Sequence, residues 1–404
     1  MFLTIQKKTL LSFSTLLLLS LMMVFIAQLY IVKILCMIAI GVLMSKKIRV
    51  SRIVLLNFIL ILVYGVLGTG LGVINQNPNP FQFLGVFFFW PIFWLLFISY
   101  FSTSPNLLER YLKVLFISHA VIVLFDLFYA VAAFNGIKLP NPFYGTETGF
   151  SIYENSTRMT FINLNTLTFS TPILFILFFS QYKFGISKIY QAINVILTII
   201  LLILSGRRSV MLMCVSVFIM PLFFSGCFSK EVRKTTGKVV LVLLVIVFIG
   251  AYYVENAYPG FWEGYYQVFL KAFDSSEEPI KFAQAKMFIN AIFEKPFLGH
   301  GFGAIFFEPL PGRMIYSSYF ELSYHQKLAT TGIVGFTLIM FVFLSTLWYS
   351  FYLSKRNKDV TLVAFAVGLL FMLVADATNP VLCSFDLMWP LYLCLAKINS
   401  YQIN

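Results

Sequence analysis

Charged side chains are scarce in this chain: Asp, Glu, Lys and Arg together make up 11% of the 404 residues, where soluble domains carry about 25%. That scarcity excludes a chain folded mainly in water. Acids are the scarcer sign, 16 against 29 Lys and Arg. The basic excess does not indicate a nucleic-acid partner, because it sits in short runs between apolar stretches and reads as a topology signal. The five cysteines, Cys36, Cys214, Cys227, Cys383 and Cys394, all fall inside apolar stretches. No CxxC pair and no Cys/His cluster suggests a metal, and no external disulfide is expected. No cofactor is implied. A small-residue cleavage site is lacking after the first apolar run, so that run is expected to be a first transmembrane helix and not a removed signal peptide.

What the chain does have is hydrophobic length. Apolar residues make up 60% of it, and each crossing of a bilayer takes about 20 of them. A backbone in lipid must satisfy its own hydrogen bonds, so the spans are helices. The expectation is an all-α, polytopic transmembrane helical bundle of about twelve spans, forming one integral membrane domain over residues 1–404. The spans fall at about 9–27, 30–44, 53–74, 82–101, 112–134, 162–180, 188–205, 209–228, 238–254, 328–352, 360–376 and 381–397. Lys7 and Lys8 precede the first pair, and Lys46, Lys47, Arg49 and Arg52 follow it. Both clusters belong on the cytoplasmic side, which makes the pair a hairpin and leaves Lys33 within a span. Continuing the alternation places both termini in the cytoplasm.

One short loop breaks the charge rule. Arg207 and Arg208 follow Ser205-Gly206 in a turn expected on the outside. Either the topology is off by one span there, or two guanidiniums are held at the outer face to bind an anion. Every other short loop obeys the rule, which favours the second reading.

Two outside segments are too long to be simple connectors. Residues 135–161 carry Glu147, Glu154 and Arg158. Residues 255–327 form the larger loop. Tyr252, Tyr253, Tyr258, Phe261, Trp262, Tyr265 and Tyr266 lie at its start and read as interfacial anchors. From Pro279 to Glu294 the apolar spacing is helical, with Lys281 and Lys286 off the apolar face. Next comes Gly299-His300-Gly301-Phe302-Gly303. Such a run can cradle phosphate with backbone N–H groups, but no strand precedes it, and a tight turn is the better reading. Glu321 and His325 are four apart and share a face if that segment is helical. A carboxylate beside an imidazole can do acid–base work, although a surface polar pair is the commoner reason for such spacing.

Over roughly residues 160–397 these pieces resemble the O-antigen ligases and the O-antigen or exopolysaccharide repeat-unit polymerases. The resemblance rests on the Ser-Gly-Arg-Arg turn, a basic residue fifteen before a proline, Pro296-x-x-Gly-x-Gly, a polar helix running into Gly332-x-x-Gly335, and Thr378-Asn379-Pro380. The ligases carry a histidine eleven residues before the first glycine of the GxxG pair, where this chain has Glu321. That departure and the Thr-Asn-Pro turn resemble the polymerases more. The loop arginine of the family falls on Lys281, which keeps the charge without the bidentate fork.

The resemblance implies a polysaccharide polymerase of a bacterial inner membrane. It would act in lipopolysaccharide or exopolysaccharide synthesis, on donor and acceptor glycans linked to polyprenyl diphosphate. Arg207 and Arg208 would bind the diphosphate, with Lys281 and Arg313 as further cations, and no metal is required. Glu321 would activate the acceptor hydroxyl, with His325 as partner or substitute. Membrane lipids, and by resemblance a chain-length regulator, are the expected partners. The alternatives are a ligase that transfers glycan to lipid A-core and a lipid-linked sugar transporter. The two halves of the chain show no internal repeat of the kind common in transporters.

Overall fold

The computed structural model describes residues 2–26, 28–44, 48–137, 139, 150–153, 156–159, 163–205, 213, 216, 226, 230–257, 259–270, 279–306, 309–310, 313–314, 320, 322–377 and 380–403. The fold is helical. Helices α1 (Phe2–Val24) and α2 (Tyr30–Met44) pack as the expected hairpin. They are followed by α3 (Arg52–Ile74), a π turn (Gly85–Phe89) that runs into α4 (Trp90–Thr103), and α5 (Pro105–Phe134). After the hairpin β1 (Phe150–Tyr153) and β2 (Ser156–Met159) come α6 (Leu164–Phe179), α7 (Lys188–Leu204), α8 (Lys230–Ala257), α9 (Phe261–Leu270) and α10 (Pro279–Glu294). A second small hairpin, β3 (Pro309–Leu310) and β4 (Arg313–Met314), precedes α11 (Ser323–Asn357), α12 (Val360–Asp376) and α13 (Trp389–Ile403).

Among the described residues, 52–74, 85–103, 106–134 and 323–357 form four helices long and apolar enough to cross a membrane. Shorter apolar helices lie at 9–24, 30–44, 164–179, 188–204 and 360–376. The span expected at 209–228 lies almost wholly outside the described residues. Burial divides the helices into two kinds. In α12 nearly every residue is buried, because α6, α11 and α13 surround it. A helix that is apolar all round belongs in such a position. Gly368 lets α6 close on it: a Cβ there would press on Ile173. In contrast, α3 leaves Leu55, Leu56, Ile59, Val63 and Val66 exposed, an apolar surface suited to lipid.

Polar contacts gather the helix ends into two sets. At one end Ser51 N donates to Asn399 Oδ1 at 2.7 Å, and Asn399 Nδ2 donates to Arg49 O at 3.0 Å. Nearby Lys397 pairs with Asp359 at 3.0 Å. At the other end Asn75 and Asn77 reach the His300 carbonyl. The 23 residues of α3 span the roughly 35 Å between the two sets at 1.5 Å per residue.

The span expected at 360–376 has those bounds in α12, and two other expected boundaries shift. The final span, expected from 381, begins at Trp389, with Pro390 in its first turn where a missing N–H costs nothing. Residues 381–383 and 385–387 form two 3-10 turns instead. These carry Asp386 to the fully buried Lys33, whose Nζ lies 2.9 Å from Asp386 Oδ1 and 2.7 Å from Phe25 O. The span expected from 328 begins at Ser323, inside the loop expected over 255–327.

Candidate functional site

The polar helix that the sequence runs into Gly332 is broken there. Gly332 has φ +61° and ψ −173°, so α11 is two helical sections joined by one residue of positive φ. A break strands carbonyls before it and N–H groups after it, and buried groups of that kind need partners. The Pro296–Gly303 turn supplies them in both directions. His300 N donates to Ala329 O at 2.9 Å and Gly301 N to Thr330 O at 2.7 Å. In return Ile333 N donates to Pro296 O at 2.9 Å and Val334 N to Phe297 O at 3.1 Å. Phe302 N donates to Gly68 O at 2.8 Å, which ties the same turn to α3.

The glycines make this clasp possible. Gly301 sits at φ +83°, and a Cβ on it would overlap the backbone of Gly72. A Cβ on Gly332 would overlap the Phe297 carbonyl. The glycine run is therefore a tight turn. The N–H groups of residues 300–302 are engaged by protein carbonyls, so they are not the phosphate cradle that such a run can form.

Below the break the first section of α11 is anchored by a buried ion pair. Lys327 Nζ lies 2.9 Å from Asp376 Oδ2 and also contacts Ser323 Oγ. Ser323 Oγ and Leu382 N donate to Asp376 Oδ1 at 3.0 and 2.8 Å. Tyr324 OH donates to Leu373 O at 2.6 Å. Lys327, the last residue of the loop expected over 255–327, is thus an internal anchor. Nothing in the sequence joins it to Asp376, a lone acid at the end of an apolar run.

The structure places only part of the expected site. His325 is exposed on the first turn of α11, on the side away from Lys327. Lys281 is half-buried on α10, which packs against α11. Arg313 lies in β4, and its side chain is outside the described set. Arg207, Arg208 and Glu321 lie outside the described residues, as do Thr378 and Asn379. Because α11 starts at Ser323, it does not supply the helical i, i+4 relation expected between Glu321 and His325. Among the described residues no group of three or more His, Cys, Asp or Glu side chains comes together.

A small core, Phe288, Ala291, Ala304, Phe306, Phe320 and Ala329, holds α10, the glycine turn and the start of α11 as one unit. Its aromatic members meet edge-on, Phe288 to Phe306 at 5.3 Å and Phe288 to Phe320 at 4.9 Å. Such packing fixes ring orientation as well as burying area.

A search of curated proteins found no match. The O-antigen ligase family model matches residues 193–340, a stretch that begins within α7 and ends in the second section of α11. Over that stretch the chain is similar to the O-antigen ligase family.

Proposed function

We propose that this protein is a membrane glycosyltransferase that polymerises polyprenyl diphosphate-linked repeat units on the extracytoplasmic face. The observation that carries the reading is the family match over 193–340. That stretch contains, in order, the Arg207-Arg208 turn, Lys281 on α10, the glycine turn, and the Glu321–His325 segment that leads into α11.

In the reaction the acceptor hydroxyl oxygen attacks the anomeric carbon of the donor sugar. The bond from that carbon to the diphosphate oxygen breaks, and the electron pair leaves with the diphosphate. Glu321 takes the hydroxyl proton, which requires hydrogen-bond reach. Arg207 and Arg208 offset the charge that develops on the leaving group, and their planar forks match its oxygens. Lys281 and Arg313 add positive charge beside them. Apolar helix faces hold the polyprenyl tail.

The test is polymer formation by the purified full-length protein from purified lipid-linked repeat units, with no ion gradient. Product without a gradient supports the transferase over a transporter. The matched family is described by its ligases, which favours a second reading, ligation of a finished glycan to lipid A-core. A deletion strain separates the two. Core capped with single repeats marks a lost polymerase, and bare core with accumulated lipid-linked polymer marks a lost ligase.

A further inference from the structure

Beside the glycine turn lies a cleft of about 550 Å³, within the size range of small-molecule sites. One wall is a strip of α10, with Lys286, Asn290 and Glu294 spaced four apart. The facing wall is Asn75 and Asn77 from the end of α3, with Lys295 and His300 between the two.

Several of these groups are held in place. Lys295 Nζ donates to Asn75 Oδ1 at 2.8 Å, and Asn75 Nδ2 donates to His300 O at 3.0 Å. Asn77 Nδ2 donates to His300 O and Phe302 O at 2.9 and 2.8 Å. His300 Nε2 donates to Ala291 O at 2.9 Å and lies 3.8 Å from Glu294. Among the described residues, neither Lys286 nor Lys295 has a carboxylate within ion-pair distance. The cleft thus sets an amide wall, with the Lys295 ammonium held on Asn75, against the Lys286 ammonium, and two ammonium groups against the single Glu294 carboxylate leave it net positive.

Exposed apolar side chains flank the polar strip on the same outer face of α10. Phe282, Ile289, Phe293 and Phe297 are exposed there. Exposed apolar side chains also end α3, at Val73 and Ile74, and open the second section of α11, at Ile333 and Val334. The cleft thus opens beside exposed apolar surface, as a sugar site on a lipid-linked substrate requires.

We infer that this cleft is a saccharide subsite that selects a sugar bearing a carboxylate. Amide side chains pair with hydroxyls in either direction. The two ammonium groups pair with the carboxylate, and Met287, Ala291, Ala304 and Phe306 give an apolar floor. The inference rests on the glycan-transfer reading and adds the charge of the glycan to it.

The experiment is ligand-observed NMR on the full-length protein in nanodiscs, with trigalacturonate, maltotriose and inorganic pyrophosphate as separate probes. Trigalacturonate is expected to bind at least tenfold more tightly than maltotriose. Lys286→Ala should lose that preference while Lys286→Arg keeps it, with both variants melting like the parent because Lys286 is exposed. Equal affinity for the two saccharides, no binding of either, or unchanged binding by Lys286→Ala overturns the inference. Pyrophosphate that displaces trigalacturonate and depends on Lys286 overturns it too, since the cleft is then an anion site for the lipid diphosphate. The two readings fail separately. A protein that makes polymer yet binds no trigalacturonate refutes the subsite alone, and one that binds it yet makes no polymer from lipid-linked units refutes the transferase.

Discussion

Gly301 donates its backbone N–H to the Thr330 carbonyl at 2.7 Å, two residues before the break in α11. The bond requires the turn to pass flush against α3, where a Cβ on Gly301 would overlap Gly72. Gly301→Ala should therefore destabilise the protein by at least about 1–2 kcal/mol from the left-handed backbone alone, with the overlap adding to it. Thermal unfolding in detergent measures this. A melting point equal to that of the parent would show that the clasp is loose.

The Lys327–Asp376 pair is buried at both partners. Removing one partner of such a pair costs about 3–5 kcal/mol, because the other is left charged in an apolar setting. Lys327→Met should fall in that range. The double variant Lys327→Met/Asp376→Leu should recover part of the loss, since both charges are gone. If the losses of the single variants simply add in the double, the two groups are not coupled.

Arg207→Ala and Arg208→Ala should each abolish polymer while protein abundance stays level. Full-length polymer from both variants removes the anion-binding reading and returns the turn to a misassigned loop.

Glu321→Gln should reduce polymer formation by at least about a hundredfold, the lower range of general base catalysis. His325→Gln should be mild, since that side chain is exposed. The opposite ranking transfers the base to His325 and favours the ligase.

Asp359 caps α12, accepting from Thr361 N and Leu362 N. Burial pushes its carboxyl up, but the Lys397 ammonium and the Thr361 and Tyr401 hydroxyls outweigh that and hold it below the usual value of 3.8. A group whose folded pKa is depressed contributes stability above its unfolded pKa, and loses it as pH falls through the folded value. The parent should thus be more stable than Asp359→Asn at pH 7, and the gap should close as pH falls below about 4. A gap of constant size from pH 7 to pH 3 would assign the effect to packing instead of charge.

The sequence by itself determined the helical membrane class, the hairpin of α1 and α2, the helix over Pro279–Glu294 and the turn at the glycine run. Those depend on hydrophobic length, on a 3.6-residue period and on backbone freedom, all of which are local properties. Where lone charges go is not local. Lys33 finds Asp386, and Lys327 finds Asp376, across 353 and 49 residues. The final span begins at Trp389 because 3-10 turns must first bring Asp386 inward. The break at Gly332 follows the same logic. A glycine permits it, but only the turn from 296 to 303 satisfies the carbonyls and N–H groups it strands. The scarce charges that first marked the chain as a membrane protein are, in the folded molecule, placed as buried anchors and as the wall of a cleft. Only packing between distant helices decides which of them are which, because an ion is tolerated inside an apolar bundle only where another element delivers its partner.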